Sequence, residues 1–257
     1  MLNYIKSEFY RVLHTKDIYL FTGTISILFV LMNVILFVSN ANIDNFPYGT
    51  VSFSLNAIIG GMTWLFVAGA LVVATLFSGE KKHGTLKNTI AYGISREHIF
   101  IGKCIVSCIV AFFSMIIIFI AYIGSACLFL SGPVNVPIQE LISGVLAVLP
   151  FAFASVILAV ALFQFFDKEI LAAVVWLLVM DYIPQICFYA GLKIDILNKI
   201  AQWLPWNYLK YEVRANMSGY QCLWNTSFGL MKCIVTGVIG IAVFTILGLG
   251  LTRKKEV

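Results

Sequence analysis

The sequence predicts an all-α membrane protein: six transmembrane helices, an N-terminal interfacial helix, a short cytoplasmic helix, and a membrane-dipping outer segment before the last span. Three observations support this class. Of the 257 residues, 61% are hydrophobic and 11% are charged, with a mean hydropathy of +0.96, whereas soluble domains have about 25% charged residues. The apolar residues form long runs, and the basic residues concentrate between alternate runs. We therefore expect residues 1–257 to form a single transmembrane domain.

Six apolar runs are long enough to be membrane spans, because a helix needs about 20 apolar residues to cross the hydrocarbon core. They lie near 18–39, 57–78, 99–130, 140–166, 169–190 and 230–251. The third and fourth are long enough to tilt or to project beyond the bilayer. Asp167, Lys168 and Glu169 separate the fourth run from the fifth and predict a tight turn.

The distribution of basic residues predicts the orientation. Six spans place both termini on one side, and 12 of the 17 Lys and Arg residues fall in the segments of that side. The loops of the other side hold four, Lys232 at the start of the last span is the fifth, and the loops at 40–56 and 131–139 hold none. Because Lys and Arg are retained in the cytoplasm, we expect both termini and the segment 79–103 to be cytoplasmic.

Two segments outside the spans have amphipathic character. In residues 1–17, Leu2, Ile5, Phe9 and Val12 recur on one helix face, which predicts an interfacial helix with lysines near anionic lipid headgroups; the alternative is an extension of the first span. Residues 191–229 are rich in Trp and Tyr, which favour the headgroup level. They predict one or two short helices that lie on the outer leaflet or dip into it.

The segment 79–103, GEKKHGTLKNTIAYGISREHIFIGK, contains the signals of a short helix. Thr85 is a good N-cap, Gly93 is a C-cap candidate, and Ser95 with Glu97 favours the start of the third span. A helix over 85–92 is too short to be stable alone. It therefore has to pack on headgroups, on its own bundle or on a soluble partner.

At this segment the sequence resembles the permease subunits of type-2 (ABC-2) ABC transporters. The resemblance covers the whole chain through its predicted topology. Its motif consists of a Glu-x-x-x-Gly-Thr-Leu run after span two, a Ser-Arg pair, and Gly-Lys in the third span. The matching residues are Glu80, Gly84, Thr85, Leu86, Ser95, Arg96, Gly102 and Lys103.

The resemblance implies that residues 85–92 form a coupling helix, which docks in a cleft of a separate ABC ATPase subunit and moves as a rigid lever. The predicted coupling residues are Glu80, Gly84, Thr85, Leu86, Ile90 and Arg96, with Asp167 and Glu169 as a second, smaller contact. ATP and Mg²⁺ would bind to the partner, and the bundle would pair with a second permease copy or a sister subunit. The alternative is an ordinary basic loop that fixes orientation.

Asp181 is the carboxylate that the sequence places inside a span, and such groups are functional hypotheses by default. It either lines the substrate pathway or has a structural role, for example as the partner of a basic group. Asn33 favours a hydrogen bond between helices over ligand contact. The six cysteines contain no C-x-x-C pair. This spacing indicates that they act as small buried apolar residues and not as metal ligands.

The chain lacks the motifs that several functional classes require. The chain has no G-x-x-x-x-G-K-[ST] phosphate loop, no H-E-x-x-H and no G-x-S-x-G. It also lacks a dense basic face for nucleic acid. We expect a non-catalytic subunit that binds no cofactor or metal. Two alternatives remain: a stand-alone secondary transporter or channel, and an intramembrane enzyme.

We therefore expect the permease subunit of a bacterial plasma-membrane ABC exporter. By analogy alone, its substrate would be a peptide, drug or lipid-like molecule, as in antimicrobial-peptide or drug resistance and immunity systems.

Overall fold

The structure is a computed structural model, and it describes residues 2–83, 93–216 and 219–254. Within these ranges the chain is predominantly α-helical, and five helical segments are long and apolar enough to cross a membrane. A sixth candidate is a pair of helices joined at a bend of 72°. The predicted class, an all-α membrane protein, is confirmed by this architecture.

Helices α1 (Leu2–His14) and α2 (Lys16–Asn42) are separated by Thr15. The backbone of Thr15 is extended, with φ −87° and ψ 138°, and its hydroxyl donates to the Val12 carbonyl at 2.8 Å. Helix α1 is thus a helix in its own right and not a continuous extension of α2. It buries Tyr4, Glu8 and Val12.

The run predicted as the second span, 57–78, is not one continuous helix, although the bent pair that covers it is a candidate span. The chain forms α3 (Val51–Gly60) and α4 (Trp64–His83) instead. At the break, the Gly61 N–H donates to the Ile58 carbonyl and the Trp64 N–H to the Gly61 carbonyl. These three-residue steps replace the four-residue pattern of an α-helix, so the axis turns sharply.

Helix α5 (Arg96–Phe129) leads through a short loop to α6 (Asn135–Phe165). In α6, 78% of the most apolar stretch is buried, against 11–28% for the other spans, so α6 is the central helix of the bundle. Helix α6 ends at Phe165 and α7 (Glu169–Leu177) begins at Glu169, so the turn predicted around Asp167 is present. A π-helical turn (Leu178–Tyr182) joins α7 to α8 (Ile183–Gly191).

The segment before the last span folds into short elements. Helices α9 (Asp195–Trp203) and α10 (Pro205–Tyr211) are followed by strands β1 (Arg214–Ala215) and β2 (Tyr220–Gln221). The strands are antiparallel, with Arg214 opposite Gln221. A 3₁₀ turn (Leu223–Asn225) then leads to α11 (Ser227–Lys254).

Glycines let α11 pack closely on α6. A Cβ atom at Gly237 would lie 2.5 Å from the Pro150 side chain, and one at Gly240 would lie 3.0 Å from Ala154. Small residues at helix contacts allow this approach in membrane proteins. The close packing fixes the last span against the central helix.

We name the two ends of the bundle by their contents. The terminal end holds α1, the start of α5, the α6–α7 turn and the end of α11. The opposite end holds the loops after α2 and α5 together with residues 192–216 and 219–226.

Candidate functional site

The predicted coupling segment is only partly described. Gly84, Thr85, Leu86 and Ile90 lie outside the described residues, so the short helix over 85–92 stays a prediction. Glu80 belongs to α4, but its side chain also lies outside the described part.

The residues that follow the segment are described. Gly93 has φ +81°, a left-handed conformation that favours glycine. Ser95 is the N-cap of α5, and its hydroxyl oxygen accepts the His98 N–H at 3.4 Å. Arg96 is the first residue of α5 and is half-buried. The segment is therefore held between α4, which reaches His83, and a capped α5.

The start of α5 is tied to the end of α11. Arg253 donates to Glu97 at 2.8 Å in an exposed ion pair. One turn further along α5, Phe100 is fully buried, and its ring occupies the space beside Gly248. Surface ion pairs contribute little, so the close packing of Phe100 is the stronger of the two connections.

Lys103 and Phe77 connect α5 to α4 and α6. The Lys103 ammonium lies 4.3 Å from the centre of the Phe77 ring, and Lys103 is 3% exposed. Phe77 also packs against Phe163 of α6, with ring centres 6.1 Å apart. Both helices that flank the segment are thus packed on the central helix.

Helix α1 lies on the same part of α5. A Cβ atom on Gly102 would be 2.7 Å from the Tyr4 ring, so the glycine permits the contact. Arg11 pairs with Glu8 within α1.

The predicted second contact, Asp167 and Glu169, lies at the terminal end. Asp167 is exposed in the α6–α7 turn, and Glu169 begins α7. An acidic residue in the first turn suits the helix dipole.

A buried hydrogen-bond network joins α2, α3 and α5 within the bundle. The Ser54 hydroxyl donates to Asn33 Oδ1 at 2.6 Å, and the Tyr122 hydroxyl donates to the Ser54 carbonyl at 2.6 Å. The Asn33 amide donates to the Tyr122 carbonyl at 3.0 Å and to Ser125 at 2.7 Å. Asn33 thus makes hydrogen bonds between helices, as its position in a span favours.

Sequence reasoning missed a polar cluster at the opposite end. Lys232 pairs with Glu212 at 2.8 Å, and the Tyr208 hydroxyl lies 2.7 Å from Thr236 Oγ1. Burial raises the pKa of Tyr208, with smaller contributions from Cys233 and Glu212, so its hydroxyl stays protonated. In the sequence, Lys232 is visible only as one basic residue near a span end.

Asp181 lies in the π-helical turn and is half-buried. It accepts a hydrogen bond from Gln185, one turn further along the same span. Asp181 therefore has a hydrogen-bond partner within its own span. Its role in a substrate pathway stays a prediction.

The described residues contain no group of three His, Cys, Asp or Glu side chains that could hold a metal ion. Their arrangement is a helical bundle with several apolar spans, which defines a multi-pass membrane protein.

Comparison with known families identifies the kind of membrane protein. Residues 4–183 match the family described as ABC-2 family transporter protein, and the chain belongs to this family. The match extends from α1 to the first residue of α8. A comparison with curated proteins found no match.

The chain is accordingly a permease subunit of an ABC transporter. Permeases of this family are in general non-catalytic membrane components, and the family implies an ABC ATPase partner in general.

Proposed function

We propose that this permease forms the substrate pathway of an exporter and is driven by a separate ABC ATPase that docks on residues 84–92. ATP and Mg²⁺ bind to that partner. The terminal end faces the cytoplasm, in the plasma membrane of a bacterium, as the concentration of Lys and Arg favours. A second permease copy or a sister permease completes the transporter.

One observation carries the proposal: both helices that flank the segment are packed into the bundle. Phe77 of α4 and Phe100 of α5 are buried in the same apolar core as much of α6. A force on residues 84–92 therefore reaches the central helix and α11 directly. Interiors packed to crystal-like density transmit such displacements instead of absorbing them.

The substrate is proposed from analogy with small permeases of this design: a peptide, a drug or a lipid-like molecule. Asp181 supports a pathway along the span α7–α8. It is half-buried, and a carboxylate inside a membrane span is energetically costly, so such residues commonly mark substrate or ion pathways.

The bent span gives specific support to a second candidate, a secondary transporter. Broken helices form midplane sites in many such carriers, and α3 and α4 meet at 72°. ATP dependence separates the two candidates, because a secondary transporter works without an ATPase.

The test is co-expression with candidate ABC ATPases, followed by affinity purification of the permease and reconstitution in liposomes. We expect one ATPase to co-purify and its hydrolysis rate to change when the permease is present. Export from the liposomes that proceeds without ATP would refute the proposal.

A further inference from the structure

Lys232 is a buried cation in the second turn of α11. Its side chain is 5% exposed, and lysine is almost never fully buried unless it is paired. Its partner is Glu212, which directly follows α10 and whose side chain is 41% exposed. The pair therefore joins the segment 192–226 to the last span.

Tyr208 also contacts α11, through Lys232 and Thr236. The Lys232 ammonium lies 4.8 Å from the centre of the Tyr208 ring. Thr236 donates its hydroxyl proton to the Lys232 carbonyl at 2.7 Å, so the Tyr208 hydroxyl is the donor to Thr236 Oγ1. Two side chains, Glu212 and Tyr208, thus hold this segment on α11.

Helix α10 is held on α8 by contacts of another kind. The Asn207 amide donates to the Pro184 carbonyl at 2.8 Å, and the rings of Phe188 and Tyr211 stack with centres 4.3 Å apart. These contacts are neutral and involve no ion pair. The Lys232–Glu212 ion pair is on the side of α10 that faces α11, and the Glu212 side chain is 41% exposed.

We propose that Lys232 is a positioning residue for transport, and that the Lys232–Glu212 pair holds α10 closed against α11 at the opposite end of the bundle. Opening separates α10 from α11 while α10 stays on α8. The inference rests on the proposed function, in which substrate leaves at this end. The exposed Glu212 carboxylate regains water when the pair separates, whereas the buried Lys232 favours the closed position.

The test measures distances in the purified full chain, with no substrate and no ATPase. The native cysteines that are not buried, Cys108, Cys127 and Cys187, are replaced, and spin labels are attached at exposed positions. One pair, Lys210→Cys with Val238→Cys, reports on α10 and α11; a second pair, Lys210→Cys with Ile186→Cys, reports on α10 and α8. Double electron–electron resonance then gives both distance distributions.

Glu212→Gln should produce a longer α10–α11 distance and leave the α10–α8 distance unchanged. We expect the ratio of open to closed molecules to rise at least about tenfold, which corresponds to about 1.4 kcal/mol. Lys232→Arg, which keeps the positive charge, should retain the closed distance. Asp195→Asn, an exposed acid at the start of α9, is the matched control and should change neither distance.

An unchanged α10–α11 distance in Glu212→Gln would overturn the proposal. So would a change in both distances, because that result indicates loss of local structure, and so would a longer α10–α11 distance in Lys232→Arg. None of these results bears on ATPase binding, so the proposed function would stand or fall separately.

Discussion

Phe100 of α5 and Gly248 of α11 meet so closely that a methyl group on Gly248 would overlap the phenylalanine ring. The ring is fully buried. This contact lies one turn beyond the start of α5, so it connects the segment 84–92 to the last span.

The first prediction concerns this contact. Gly248→Ala should lower the free energy of unfolding by about 1–3 kcal/mol, because overpacking a filled core forces neighbours to shift. Thermal unfolding in detergent, followed by tryptophan fluorescence, measures the effect. Gly250→Ala is the matched control, since a Cβ atom there meets nothing within 4 Å. Equal stability of the two variants would contradict the packing.

The second prediction concerns the buried network. Asn33→Ala should destabilise the bundle by about 2 kcal/mol, because it removes three hydrogen bonds of roughly 0.6 kcal/mol each between helices. Ser52→Ala, at a half-buried serine two residues before Ser54 on α3, should have little effect. Denaturation in detergent gives both values, and an unaltered Asn33→Ala protein would show that the network contributes nothing to stability.

The third prediction concerns the helix cap that follows the coupling segment. Ser95→Ala should cost about 1 kcal/mol, the usual effect of losing a serine N-cap. Hydrogen exchange at the His98 amide should become faster, whereas Ser95→Asp should retain protection because aspartate also caps. If exchange is the same in Ser95→Ala and in the unaltered chain, the cap does not hold the start of α5.

The fourth prediction concerns the coupling segment itself. Leu86→Asp or Ile90→Asp should abolish ATP-driven transport and leave membrane insertion intact, because both residues lie on one face of the predicted helix. Asn88→Asp, two residues away from each and so on the other face, should retain transport. Loss of transport in all three variants, or in none, would argue against a docked helix.

The sequence allowed the spans, the separate first helix and the short helices before the last span to be predicted, because apolar length and amphipathic period are local signals. The break at Gly61–Thr63 was missed. Gly60 and Gly61 signalled close packing, but the bend depends on which backbone groups find partners, and tertiary contacts decide that.

Contacts between residues that are far apart in the sequence could not be predicted either. Lys232 and Glu212 are separated by two strands and a 3₁₀ turn, and no periodicity brings them together. The family resemblance came from the motif around Gly84 and Lys103, and it is confirmed by the match over residues 4–183.

The most direct measurement is photo-crosslinking from position 90, with an apolar photoreactive amino acid replacing Ile90 in cells that express the candidate ATPase. The proposed docking predicts a crosslink to the ATPase that depends on this position and is absent from a probe at exposed Lys199, at the opposite end of the bundle. A probe at position 90 that captures no ATPase would contradict it.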